Sequence, residues 1–481
     1  DRLHGPFSVR FDTTAAPAPD REAVSLPAAQ QDRLARAGRA TTPTPPAPTS
    51  HLKLGLRETG LYRLEATTIA ANTQHDEATV RAALASGAIL LSENGQPVAW
   101  RLTDDGAGLW FFGQAPEGQY HAERIYWLTV GEPGPVMDEI PATPDGRGPA
   151  SRSFAERLRF GEDQRAMLSL PAGPDDNYWY WGTLAAGDPT VGSQQYTLTV
   201  ADPLDDDAEL GLSLRGFTDA PGIAPDHRVA VKLNGTELGD FGWNGNAPRE
   251  ARFRVPAGLL QAGANTLTLT ALATNGDSVF LLDEVTLHHR RLARLTDGEL
   301  LLGPMDAPLE LIFSSGFGDP RQTPDILLAG VTGPARVLGL EDAQAPVWLS
   351  GASQDADNLR FAPQAGRHWV GTRERRPDWV QPADPALATR TGGADYLVIT
   401  TAALQPAAER LADHRRQQGL AARVVSMDAI TDGHGHGYRD PRAIRAFLAD
   451  AAARWSPAPR YVVLAGNGSF DYRNLQGHND N

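Results

Sequence analysis

The hydrophobic period of this chain changes near Gly393, and that change decides most of what the chain can fold into. Before it, apolar residues alternate with polar ones in short runs, the two-residue period of half-buried strands. Tyr196, Leu198 and Val200 alternate with Thr197 and Thr199, and Leu210, Leu212, Leu214 and Val229, Val231, Leu233 continue the pattern. After it, the runs Tyr396–Thr400, Ala421–Met427 and Tyr461–Gly466 are largely apolar throughout and are separated by helical segments. Alternating strands suit antiparallel sheets, whereas continuously apolar strands suit parallel sheets with helices on both faces. The chain is therefore multidomain and mainly β, and it ends in an α/β unit. Its 481 residues fit roughly two to four domains.

Five segments are expected. Residues 1–50 are rich in Pro, Ala and Thr, and Thr42-Pro43-Thr44-Pro45-Pro46-Ala47-Pro48-Thr49 reads as a stiff polyproline-type leader or linker, or as a strap on a later domain. Residues 51–150 read as a β-rich domain. Within it, 52–64 is expected to form a hairpin, 76–87 a helix, and further strands follow at 88–91, 97–102, 108–112 and 125–130. Residues 151–295 read as a two-sheet β-sandwich, with Asn234-Gly235 as a tight hairpin turn. Residues 296–390 read as a β-rich connecting domain with more Pro and Gly. Residues 391–481 read as the α/β unit.

Within that unit, 402–418 is helical and stops at Gly419. Asp440-Pro441 is an N-cap with Pro at the first helical position, and Ile444, Phe447, Leu448, Ala451 and Trp455 trace one face of the helix. Right-handed crossovers then place the first strand between the other two, or at a switch point beside the third. The third strand is read as buried, yet its outer edge would be bare, and bare edges recruit partners. Ligands of open parallel sheets gather beyond the carboxyl ends of the strands. There the sequence offers Gly466-Asn467-Gly468-Ser469-Phe470-Asp471-Tyr472-Arg473-Asn474, and Asn467, Ser469, Asp471, Arg473 and Asn474 are the candidate site residues.

Composition excludes several functions. A formal net charge of −15 disfavours nucleic acid and anionic membrane surfaces as partners. The absence of Cys removes disulfides, thiolate-bound metals and a thiol nucleophile from these residues. No run approaches the roughly 18 apolar residues of a transmembrane helix. The chain starts at Asp1 rather than Met and carries no signal-type apolar region, so it reads as an excised or a processed chain, and a removed export signal stays open.

Residues 395–474 resemble the start of the catalytic domain of the gingipain family of cysteine peptidases, in particular its large surface-associated bacterial members. The resemblance is carried by the Tyr396–Thr400 strand, Gln418-Gly419-Leu420, the Asp440-Pro441, Ile444-Arg445 and Phe447 helix opening, Trp455 and the 464–474 segment. Family members usually show Gly-Asp-Gly where this chain has Gly466-Asn467-Gly468. Upstream, Glu58–Arg63, Tyr126-Trp127-Leu128, Asp175–Trp181, His227–Gly235 and Gly263–Leu267 are similar to segments of the same proteins, the last two to strands of a jelly-roll, galactose-binding-like sandwich. The resemblance implies a caspase-like parallel sheet of which only the opening part is present. It also implies a Cys nucleophile and a His general base on later strands, so no catalytic residue is expected in this chain. The partners implied are the remaining C-terminal catalytic fragment of the same precursor and a protein or peptide substrate. The location implied is secreted, extracellular or at the cell surface. The exposed stretch 474–481 would be where a precursor is cut.

The chemistry implied needs no cofactor. Ca²⁺ is the ion that Asp205 and Asp207, in the turn shared with Asp202 and Asp206, or Asp471 and Asp480 could hold, and a solvated turn and a flexible end are the plainer readings. His434 and His436 read as an exposed loop rather than a metal site, and His288-His289 as a surface patch at a strand end. Tyr178-Trp179-Tyr180-Trp181 could stack on sugar rings or be buried between β domains. Two functions remain: the N-terminal portion of a secreted peptidase or transpeptidase, or a non-catalytic adhesion protein whose sandwich holds a glycan.

Overall fold

The computed structural model describes residues 50–118, 120–146, 150–170, 176–303, 324–466 and 468–477. Most of the expected leader, 1–49, lies outside them. The N-terminal module has two sheets. One runs in the order Trp379–Pro382, His51–Leu56, Arg124–Val130, Ile89–Glu93, Gln96–Pro97, and the other in the order Gly60–Glu65, Gly108–Gly113, Trp100–Leu102. The expected 52–64 hairpin is absent, because its two strands lie in different sheets. His51–Leu56 pairs with Arg124–Val130 and Trp379–Pro382, while Gly60–Glu65 pairs with Gly108–Gly113. Gly60–Glu65 buries both its faces: Tyr62 and Leu64 join the core of this module, and Leu61 joins a second core with Leu338 and Trp369. A strand wanted on both sides is a poor hairpin partner. The expected helix is present at Glu77–Ser86, capped by the Asp76 side chain and ended by Gly87 at φ 76°. A further helix, Ala66–Asn72, has no side-chain cap and gave no clear signal in the sequence.

The sandwich is two antiparallel sheets. One contains Gly182–Ala185, Val279–Leu292, Ala208–Gly216 and Pro248–Val255, with Ser153–Phe160 also paired to Val279–Leu292; the other contains Ser193–Val200, Gly263–Ala271, His227–Leu233 and Thr236–Trp243. Alternate residues of both sheets close one core that includes Leu198, Leu212, Val231, Phe253 and Leu269. Asn234 (φ 49°) and Gly235 (φ 82°) both adopt the left-handed conformation, which a two-residue hairpin loop needs to match strand twist. His289 departs from the surface reading. The strand runs on to Leu292, and His289 is buried with Nε2 3.0 Å from Glu156 Oε2 across the sheet.

A third group of sheets joins Glu299–Leu302, Arg367–Gly371, Arg336–Leu340, Val347–Ser350 and Glu139–Pro141, and separately Ile326–Leu328, Asn358–Phe361 and Ser353–Asp355.

The α/β unit has a parallel sheet in the order Ala422–Ser426, Tyr396–Thr400, Tyr461–Ala465, with the first strand in the centre, the first of the two expected arrangements. Helix Gln405–Gln417 covers one face through Ala408 and Ala412, and helix Pro441–Arg454 covers the other through Phe447 and Ala451. Two expectations fail here. The segment carrying His434 is not an exposed loop but a helix, Met427–His434, capped by Ser426 Oγ, which accepts the Ala429 N–H at 3.2 Å. The largely buried His434 side chain lies with Nε2 3.0 Å from Asp450 Oδ2 and with its ring edge-on to Phe447. The third strand is not buried: Tyr461 is 49% exposed, Val462 41% and Leu464 63%.

Candidate active-site cleft at the strand ends

The parallel strands end at Thr400, Ser426 and Ala465, side by side, and Thr400 Oγ1 donates to Ala465 O at 3.1 Å. In front of these ends lies a cleft of about 690 Å³. One wall is the α/β unit, with Gln405, Ser426, Asp428 and Tyr472; the other is the N-terminal module, with Tyr120, His121 and Trp379.

The two walls are bolted together. Lys53 Nζ meets Asp432 Oδ1 at 2.6 Å, both side chains being nearly buried, and the other Asp432 oxygen accepts the Asp384 N–H. Burial pushes the Asp432 carboxyl above its ordinary range, with Lys53 pulling the other way. Tyr438 donates to Glu93 Oε1 at 2.8 Å and accepts from the Ile125 N–H at 3.0 Å, and Trp127 Nε1 donates to His436 O at 2.8 Å. Burial raises the Tyr438 hydroxyl well above a free tyrosine, so it stays protonated. Gly437 (φ 85°) permits this contact, since a Cβ there would lie 2.8 Å from Ile125 Cγ2. The His121 ring packs against Tyr438 in a tilted arrangement, 4.4 Å between centroids, and lies 3.6 Å from Asp440. Burial lowers the His121 pKa, with Asp440 opposing. For Asp440, burial alone would raise the pKa, but hydrogen bonds from Arg442 hold it below the ordinary value.

The strand-end residues named from sequence form a tight turn. The buried Asp471 carboxylate accepts the N–H groups of Leu475 at 2.8 Å and Gln476 at 2.7 Å, and Ser469 Oγ accepts the Asp471 N–H at 3.0 Å. Asn474 takes the left-handed conformation at φ 54°. Arg473 turns away to pair with Asp163, and burial lowers its pKa. Asn467 and Asp480 lie outside the described residues. Asp207 accepts from Arg254 through Oδ2 and from the Ala257 N–H through Oδ1, so both its oxygens are engaged. Among the described residues no group of three or more His, Asp or Glu is placed to hold a metal ion.

All four rings of the 178–181 run are buried. Trp181 packs on Tyr196 in the sandwich core, while the Tyr178 hydroxyl donates to Phe470 O at 2.5 Å and Trp179 lies 6.2 Å from Phe470. Stacking on a sugar is closed to rings buried this way. Sequence reasoning missed Lys53, Tyr120, His121, Asp432 and Tyr438 altogether. The only hint was that Lys53 is one of two lysines in an arginine-rich chain.

Fold and cleft together define an open parallel α/β unit, with its strand-end face walled by β modules. Residues 389–481 match the model of peptidase family C25, so the gingipain-type resemblance holds for the C-terminal segment. No curated protein matches the chain. Among solved structures, dimeric latent PorU from Porphyromonas gingivalis is similar with a TM-score of 0.62 at 15% identity, over 88% of this chain and 42% of that one. That likeness establishes the multidomain fold, and this chain spans less than half of the relative's length. The CBM36-1 domain of a multidomain xylanase from the hindgut metagenome of Trinervitermes trinervoides is aligned over 27% of this chain and 96% of its own, at 19% identity and a TM-score of 0.17, too low to argue from. Among the described residues no helix is long and apolar enough to cross a membrane.

Proposed function

We propose that this chain is the N-terminal portion of a secreted, gingipain-like cysteine peptidase, and that it supplies the first three strands of the catalytic sheet. The observation that carries this reading is the Tyr461–Ala465 strand, which is parallel, apolar and solvent-exposed at the sheet edge. Such an edge asks for another strand. The Cys nucleophile and His base belong to the polypeptide that follows in the same precursor, whether continuous or cut within 474–481. With that segment in place, a thiolate attacks the substrate carbonyl carbon and the His gives a proton to the departing amine. Water, or an amine in the transfer reaction, then releases the thioester. In this reading residues 51–390 frame the cleft and take no chemical step, and no cofactor is needed. The test is peptide mapping of protein purified from its native source. A continuous or co-purifying segment carrying Cys and His is expected. A soluble monomer ending at Asn481 would overturn the reading and favour a glycan-binding or adhesion role for the sandwich.

A further inference from the structure

Strand-end loops are ordinarily held by their own sheet and are among the more mobile parts of a fold. Loop 468–474, besides the hydrogen bonds that Ser469 and Asp471 make within the turn, is held by side chains from two other modules. On the sandwich side, Asp163 forms an ion pair with Arg473, Tyr178 donates to Phe470 O at 2.5 Å, and Trp179 packs on Phe470. On the N-terminal side, Tyr120 meets the edge of Tyr472 at 5.1 Å and is itself covered by the Arg442 guanidinium, also at 5.1 Å. The Arg473 and Asp163 side chains are only 18% and 29% exposed, so their attraction is less screened than that of a surface pair.

We infer that Asp163, Tyr178 and Tyr120 are positioning residues for the candidate site. They clamp loop 468–474 from both sides and fix where Tyr472 stands in the cleft wall. The sandwich thereby sets the geometry of a site to which it contributes no reacting group. The functional meaning of the clamp rests on the peptidase reading, while its existence does not.

Amide hydrogen exchange on the 481-residue chain tests the clamp directly. Asp163→Ala is expected to speed exchange in 468–477 about tenfold, the scale of one lost charge-assisted hydrogen bond, with the melting temperature unchanged. The swap Asp163→Arg with Arg473→Asp is expected to restore protection, and Tyr178→Phe to give a smaller increase. Unchanged exchange in 468–477, or faster exchange spread evenly through the sandwich, would overturn the clamp. In protein that also carries the following segment, Asp163→Ala should lower kcat more than it raises KM, and the swap should recover kcat. Loss of loop protection with kcat unchanged would overturn the positioning role. If the unmutated longer protein shows no peptidase activity, the peptidase reading fails, and the exchange data alone decide the clamp.

Discussion

The sandwich is built from alternating strands and the α/β unit from continuously apolar ones, yet it is the alternating unit that is closed and the apolar one that keeps an open edge. In the sandwich, inward side chains from Trp181 to Leu287 close one core between the two sheets, with Leu158 and Phe160 of the paired strand Ser153–Phe160 packed against it. In the α/β unit the central strand Tyr396–Thr400 is buried throughout, while its neighbour Tyr461–Ala465 has no residue in the buried class. What separates them is topology. A sandwich satisfies its strands with turns, so its parts lie close in sequence. A parallel sheet grows by crossovers, and each new strand exposes an edge until the next arrives.

The sharpest way to break this comparison is to cut the chain. Residues 151–295 alone are expected to give a β-type circular dichroism spectrum and a dispersed proton NMR spectrum, whereas 391–481 alone should aggregate or remain poorly dispersed. A well-dispersed, monomeric 391–481 fragment would show that the bare edge is tolerated. Next in size is a paired substitution. Leu212→Ala, in the closed core, should cost about 4 kcal/mol of stability by urea titration, and Leu464→Ala, on the bare strand, less than about 0.5 kcal/mol. Equal costs would mean that Leu464 is covered in solution.

The contact between modules gives a smaller effect with a pH signature. Lys53→Met strands the buried Asp432 carboxylate and should cost about 3 kcal/mol at neutral pH. Asp432 already has a raised pKa through burial, and losing Lys53 raises it further. A folded-state carboxyl that holds its proton more tightly than the unfolded one adds stability at low pH and loses it as pH rises through the folded pKa. The deficit of the variant should therefore shrink on acidification. Urea titrations at neutral and acidic pH check this, and a deficit independent of pH would remove Asp432 from the explanation.

Features written within a short window were legible. The sandwich strands followed from strict alternation with one buried face, and Asn234-Gly235 and Asp440-Pro441 announced a turn and a helix start that the structure contains. Helix Met427–His434 was missed although Ser426 is a regular N-cap, because the glycines around His434 and His436 resembled a loop. The Gly60–Glu65 strand was misassigned because its two faces serve two cores, which no local pattern records. The cleft was illegible for a different reason. Lys53 and Asp432 are 379 positions apart, and Tyr438 lies 345 from Glu93, so nothing in either neighbourhood mentions the other. Asp471 was named as a site residue and found capping its own turn.

The strand Trp379–Pro382 closes the edge of His51–Leu56 immediately before the chain enters the α/β unit. During synthesis this reverses the usual order in which domains are completed from the N-terminus. The N-terminal module stays unfinished, with an open flank on His51–Leu56, while the sandwich after it can already close. Only when residues 379–382 leave the ribosome is that flank covered, and Asp432, which locks Lys53 in the same strand, emerges later still. The N-terminal module and its lock to the α/β unit are thus completed only after the sandwich, so a chain cut off within the connecting segment would carry a folded sandwich on an incomplete, sticky N-terminal module.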